Sequence, residues 1–211
     1  MIKIISGEIQ PSIGQIYIEA EPYYIPQIFG QFNHFTIGQV LRVEDKLNAL
    51  KGILNGNTSK ENFDLLNEDW TIEDRCREAL NYWQLDDLDL SQKMETLSGG
   101  QKTKIFLAGI SIHQPELVLL DEPSNHLDIS GRQLLYNFIK TTKTTLIVVS
   151  HDRKLLNLLN AVFELSKNGI KVYGGNYDFY KEQKQIENNA LNQNIQSKEK
   201  ALRKAKEKER E

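Results

Sequence analysis

The chain has 211 residues, a formal net charge of −3, 39% hydrophobic and 26% charged residues, which suits one globular core with a polar appendage. No apolar run is long enough to span a bilayer, and the N-terminus lacks the apolar stretch of a signal peptide. A single cysteine, Cys76, excludes an intramolecular disulfide framework and fits a reducing, cytoplasmic setting.

The charge is unevenly spread. Residues 181–211 carry nine Lys/Arg against six Asp/Glu, leaving an acidic body and a basic tail. Such a tail can touch nucleic acid or an anionic surface, and a solvated helix of mixed charge explains it as well.

In chain order, Ile9, a turn at residues 11–14, then Ile16 and Ile18 between polar neighbours read as short strands. Gln27 ends a further strand. From Thr36 the period becomes helical: Thr36 and Gln39 have capping-box spacing, and Ile37, Val40, Leu41, Leu47, Leu50 and Leu54 follow. "NGNTSKEN" reads as a loop. Residues 71–85 place Ile72, Cys76, Leu80 and Trp83 on one helical stripe, so Cys76 and Trp83 belong to the core.

After Thr96 helices and strands alternate. "SGGQKTKIFLAGISI" is helical, "ELVLLD" a buried strand, "SGRQLLYNFIK" a helix with a Ser130/Gln133 capping box, and "TTLIVVS" a second buried strand. That alternation signals a parallel sheet with crossover helices. "AVFELS" and "GIKVYGG" close the core as strands. From Asn176 the chain is polar, helix-prone and free of Pro and Gly, which predicts a protruding helix or linker.

Three short stretches carry candidate chemistry. "LVLLDE" delivers Asp121 and Glu122 to the carboxyl end of a buried strand, where ligands bind in α/β sheets. One carboxylate there can hold Mg²⁺ and the other can orient or deprotonate a water, as in a nucleoside triphosphatase. An isolated pair would read equally as an acidic loop capping the next helix. "LSGGQ" puts Ser98, Gly99, Gly100 and Gln101 at a helix start, where free N–H groups and glycine favour a phosphate. "SHD" brings His151 to the same sheet edge. His34 and His113 read as structural.

The ordered set Gln27, "LSGGQ", "LVLLDEP", "HLD" and "VVSHD" resembles the ATP-binding cassette ATPases over almost the whole chain. "DEPSNHLD" is similar to the DEPTNHLD signature of the F subfamily, proteins with two cassettes in one chain, no transmembrane domain and an association with the ribosome. Ser124 is the departure from that signature. The resemblance implies an α/β fold: a P-loop NTPase-like parallel sheet core (residues 1–29 and 96–180), an inserted helical subdomain (30–95) and a charged helical linker (181–211).

It also implies roles. Asp121 would hold Mg²⁺, with Gln27 reaching the ion and the attacking water. Glu122 would be the catalytic carboxylate, and His151 would contact the γ-phosphate. Ser98, Gly99, Gly100 and Gln101 would face ATP bound to a second cassette, and Asp128 would lie in the loop that crosses to it. The implied partners are that second cassette and the ribosome with its rRNA, with no membrane.

One expected part is missing from these residues. A phosphate-cradling GxxxxGK[ST] loop needs glycines five apart, and only Gly169 and Gly174 qualify, followed by Gly175 and Asn176. The resemblance places that loop upstream of Met1, so residues 1–211 by themselves are expected to turn over ATP negligibly. Three readings stay open: part of an F-subfamily ATPase, a module that pairs with another cassette without hydrolysing ATP, and a transporter's nucleotide-binding subunit.

Overall fold

The computed structural model describes residues 1–208, which divide into two compact units, one of Met1–His151 and one that begins at Asp152. Residues 209–211 of the expected linker lie outside the described residues.

The first unit opens with the single-turn helix α1 (Ile2–Ile5), followed by irregular chain up to the short strand β1 (Tyr23–Ile25). The strands expected around Ile9, Ile16 and Ile18 are absent. Ile13 and Tyr17 stand 95% and 88% exposed, and an alternating pattern forms a strand only against a neighbour that takes its hydrogen bonds.

Four helices follow: α2 (Ile37–Val40), α3 (Glu44–Leu54), α4 (Lys60–Leu66) and α5 (Ile72–Tyr82). The Thr36/Gln39 capping box starts α2, and the chain turns at Arg42, whose φ is 54°, before α3 begins. α4 lies partly within the stretch expected to be a loop. Ser59 caps it by accepting from Asn62 N–H at 3.4 Å, a cap hidden in a polar run. Asp69 joins this helical block together. It takes two hydrogen bonds from Arg75 at 2.7 and 2.8 Å and one from Lys46 at 2.9 Å. Cys76, Leu80 and Trp83 are buried as the stripe predicts.

Next come α6 (Gly99–His113), β2 (Leu117–Asp121), α7 (Ile129–Thr141) and β3 (Thr145–Val149). The three strands form a parallel sheet in the order β1-β2-β3, with Tyr23 paired to Val118 and Leu117 to Thr145. β2 is the centre of the core, its Val118, Leu119 and Leu120 fully buried. α6 meets β1 closely: a Cβ on Gly109 would collide with the Tyr23 hydroxyl, which donates to the Phe106 carbonyl at 3.1 Å. Only glycine fits there. α7 starts two residues earlier than the Ser130/Gln133 box predicts. Asp128 is its cap, taking Gly131 N–H at 2.7 Å, while the Ser130 hydroxyl inside the first turn donates to Gln84 Oε1 at 3.3 Å.

The second unit holds α8 (Arg153–Leu156), the antiparallel hairpin β4 (Ala161–Ser166) and β5 (Gly169–Gly174), and α9 (Tyr177–Lys208). The hairpin is tied to the base of α9. Lys184 bonds Glu164 at 2.7 Å, Lys171 bonds Glu187, and the Tyr173 hydroxyl reaches both acids. Both closing strands and the terminal helix fall where the sequence predicts them. Among the described residues no helix is long and apolar enough to cross a membrane.

Candidate active site

β2 ends at Asp121, and the next residue leaves the sheet. Glu122 has φ 50°, in the left-handed region, and its N–H donates to the Val149 carbonyl at 2.8 Å, tying the loop to the end of β3. The carboxylate is buried with 7% exposure, while the His151 side chain is 96% exposed. They meet at two points: His151 N–H donates to Glu122 Oε2 at 3.2 Å, and His151 Nε2 lies 3.2 Å from Glu122 Oε1. A buried acceptor is thus fixed by a backbone donor, and an imidazole sits between it and solvent.

Asp121 is half-buried beside this pair. The Tyr24 hydroxyl on β1 donates to Asp121 Oδ2 at 3.4 Å. Burial, with the Asp121 and Glu8 charges behind it, pushes that phenol up to about 12. Gln27 lies two residues beyond β1, exposed, and its side chain has no hydrogen-bond partner among the described residues.

A second cluster forms where α6 begins. Ser98 Oγ accepts from Gln101 N–H at 3.2 Å and Gln101 Oε1 accepts from Ser98 N–H at 2.9 Å, a complete capping box. This turn and Lys104 line one side of an open cleft of about 600 Å³, and His126, Leu127 and Asp128 line the other. The two sides are in contact at the cleft floor. A Cβ on Gly100 would stand 2.8 Å from the His126 carbonyl, and one on Gly99 3.3 Å from the His126 ring. Arg132, from the second turn of α7, braces the far side, its Nε donating to the Ser124 and Leu127 carbonyls at 3.2 Å each.

The predicted residues therefore fall into two sets. Asp121, Glu122 and His151 share the sheet edge; Ser98, Gly99, Gly100, Gln101 and Asp128 share the cleft. Gln27 follows β1 at the same end of the sheet as Asp121, since Ile25 pairs with Leu120, and makes no side-chain hydrogen bond to either set. Tyr24, Lys104 and Arg132 escaped sequence reasoning. Tyr24 was open to it, lying three residues before Gln27 on a strand beside "LVLLD", whereas nothing in the sequence marks the contacts of the other two.

The donor set suits a hard divalent ion held largely by its ligand. Among the described residues no group of three or more His, Cys, Asp or Glu could hold a metal. Mg²⁺ commonly takes one or two carboxylates and completes its shell with waters and phosphate oxygens, which Asp121 beside an open edge permits.

This sheet edge and capped glycine turn belong to a known family. The ABC transporter family profile matches residues 1–125, and the chain belongs to that family as an ATPase domain of the ATP-binding cassette type. It is 33% identical to the Bacillus subtilis "Uncharacterized ABC transporter ATP-binding protein YkpA", over 88% of this chain and 38% of the relative. Identity to the Arabidopsis thaliana "ABC transporter F family member 2" is also 33%, over 54% of this chain and 19% of that protein. The "Erythromycin resistance ATP-binding protein MsrA" of Staphylococcus epidermidis shares 41%, over 44% and 20%. The chain thus spans well under half the length of these relatives.

A solved ATP-binding subunit of an ABC transporter superposes with a TM-score of 0.63 at 21% identity, covering 86% of this chain and 75% of that one. The fold is accordingly the α/β fold of the cassette ATPases, with its parallel sheet and helical extension. Cassettes of this family bind ATP, typically with Mg²⁺, and dimerise with another cassette.

Proposed function

We propose that this chain is the catalytic stretch of an F-subfamily cassette that hydrolyses ATP and works in the cytoplasm on the ribosome, in translation or antibiotic resistance. The observation that carries the catalytic reading is the Glu122–His151 junction beside Asp121. The subfamily reading is supported by "DEPSNHLD" and by the F-family relative, and the resistance reading by the erythromycin resistance relative. We also take residues 1–29 and 96–180 as the cassette core, 30–95 as its helical subdomain and 181–211 as the linker.

In this reading Glu122 orients the attacking water and takes its proton, its carboxylate fixed by the His151 amide. The His151 imidazole, turned to solvent, donates to the γ-phosphate. Asp121, steadied by Tyr24, would hold Mg²⁺ together with Gln27 from the end of β1. The ion's part is to neutralise charge on the β- and γ-phosphate oxygens. Ser98, Gly99, Gly100 and Gln101, with Asp128, face ATP bound to a second cassette, and their preformed capping box leaves the first amides of α6 free for phosphate.

Residues 1–211 contain no GxxxxGK[ST] loop, so hydrolysis draws that loop from polypeptide outside them. The same fact favours a second reading, a module that pairs with another cassette without hydrolysing ATP. Two measurements test the pair. Sedimentation with purified ribosomes, against membranes from the same cells, tests the ribosomal role; a membrane-bound chain that ignores ribosomes sinks it. Mg-ATP turnover by these residues joined to a phosphate loop, lost in Glu122→Gln, distinguishes enzyme from module.

A further inference from the structure

We propose that the α4 tip of the helical block is a docking site for a short, extended segment of a partner protein, rich in arginine or lysine. The apolar part of this surface is open to solvent. Leu54 ends α3, Phe63 and Leu65 lie on α4, and Trp70 follows it, still 49% exposed. Leu66 is the only buried residue of α4. Two successive left-handed residues, Asn67 at φ 50° and Glu68 at φ 59°, turn the chain after α4. Trp70 N–H then donates to the Glu68 carbonyl at 3.0 Å. The turn sets the Trp70 ring 6.3 Å from that of Phe63, edge towards face. Such a pair leaves ring faces open to a third group.

Charge surrounds that pair on one side of the balance. Residues 54–74 hold six Asp/Glu against one basic residue, Lys60. Three of the acids are matched: Asp69 by Arg75 and Lys46, and Glu73 and Asp74 by Arg77. Glu61, Asp64 and Glu68 have no ion-pair partner among the described residues, and they lie on α4 or just after it. A cation over an indole or phenyl face is drawn by the ring quadrupole, and nearby carboxylates add to the attraction. The same field repels phosphate, which turns RNA and anionic lipid away from this tip.

The occupant follows from charge and size. α4 has seven residues, about 10 Å of helix, a footprint too small for the roughly 800 Å² per partner that folded proteins bury in a stable interface. A short segment fits it. Its cationic side chains lie over Trp70 and Phe63 and pair with Glu61, Asp64 and Glu68, while apolar residues between them cover Leu54 and Leu65. Arginine suits the site best, because its planar guanidinium stacks on aromatic faces. The tail of a second copy is the weaker candidate: in residues 196–211 four glutamates are interspersed among seven Lys/Arg, and the acidic tip repels them. Docking needs neither nucleotide nor ribosome.

The test uses the whole chain and three probes: an alternating Arg-Leu peptide, a synthetic peptide of residues 196–211, and a single-stranded RNA. Trp70 is the reporter, since Trp83 is fully buried. The Arg-Leu peptide is expected to shield Trp70 from acrylamide quenching and to bind more weakly as salt rises. Trp70→Ala should weaken its binding about tenfold, read by titration calorimetry. A triple variant, Glu61→Gln, Asp64→Asn and Glu68→Gln, changes only exposed side chains and covers the case in which Trp70→Ala fails to fold. It should weaken binding by a similar factor and remove most of the salt dependence. Asp86→Asn with Asp87→Asn, beyond the other end of α5, should bind as the parent does. The proposal is overturned if the peptide leaves Trp70 quenching unchanged, if its binding ignores salt, or if the triple variant binds as tightly as the parent. It is also overturned if the RNA or the 196–211 peptide shields Trp70 as well as the Arg-Leu peptide does, which would give the tip to nucleic acid or to a second copy.

Discussion

Glu122 and His151 are joined twice at the end of the parallel sheet, by a backbone hydrogen bond of 3.2 Å and by an imidazole nitrogen 3.2 Å from the other carboxylate oxygen. Glu122 holds this position with a left-handed backbone, φ 50°, which glycine adopts freely and other residues do not. Two opposed effects can therefore be separated by substitution. Glu122→Ala removes the acceptor and keeps the strain, at an expected cost of about 1 kcal/mol or more. Glu122→Gly removes both and should be the more stable of the two by roughly 0.5–1 kcal/mol. Urea unfolding of the two variants gives the order, and an alanine variant as stable as the glycine one would contradict the strain.

At the cleft, Gly99 and Gly100 should respond differently to the same methyl group. A Cβ at Gly100 meets a backbone carbonyl at 2.8 Å, whereas one at Gly99 meets the His126 ring, which can move. Gly100→Ala is expected to cost about 1–3 kcal/mol and to shift the loop carrying His126. Gly99→Ala should be close to neutral. Thermal melts with amide shifts at His126 and Leu127 distinguish the two.

Acid should loosen the helical block through Asp69. The Arg75 hydrogen bonds, then Lys46, hold this carboxyl down at about 2, against an ordinary value of 3.8. Because the folded value is the lower, the stabilisation is complete above about pH 4 and disappears as pH falls through about 2. Lys46 and Arg75 are partly solvent-exposed, so screening limits the contribution to about 1 kcal/mol. Asp69→Asn should lower stability at pH 7 and flatten its decline between pH 4 and 2. An unchanged acid limb in that variant would rule Asp69 out as its source.

Cys76 should report on opening of α5. Burial pushes its thiol up to about 11 from 9.0. At pH 8 that leaves about a hundredfold less thiolate than a thiol at its ordinary value, before any steric protection. Reaction with a disulfide reagent should be slow in the folded chain and rapid in urea, with the transition following loss of helical circular dichroism. Fast labelling under native conditions would place Cys76 outside the core.

Much of this architecture was legible because its signals are local. The aliphatic runs of β2 and β3, the capping boxes at Thr36 and Ser98, and the Cys76–Trp83 stripe each encode their element within a few residues. The errors share a different cause. At α7 two residues could cap, and Asp128 takes the position while Ser130 turns to the distant Gln84. α4 hid in a polar run because its only buried residue is Leu66. The alternation around Ile16 was real, but a strand also needs a neighbour, which no local pattern reveals. In the candidate site, residue types were readable while their arrangement was not. The turned backbone of Glu122, the His151 amide and the Tyr24 hydroxyl join segments far apart in sequence.

α9 contains 32 residues, which at 1.5 Å each make a rod of about 48 Å. The contacts that hold it to β4 and β5 come from its first three turns, through Tyr180, Lys184 and Glu187. It is thus a lever with its fulcrum at the hairpin. A tilt of about 5° there moves the far end, about 32 Å beyond Glu187, by about 3 Å, roughly the rise of one residue along a strand. Shifting two ion pairs at the base by the width of a bond is enough to aim a distant tip.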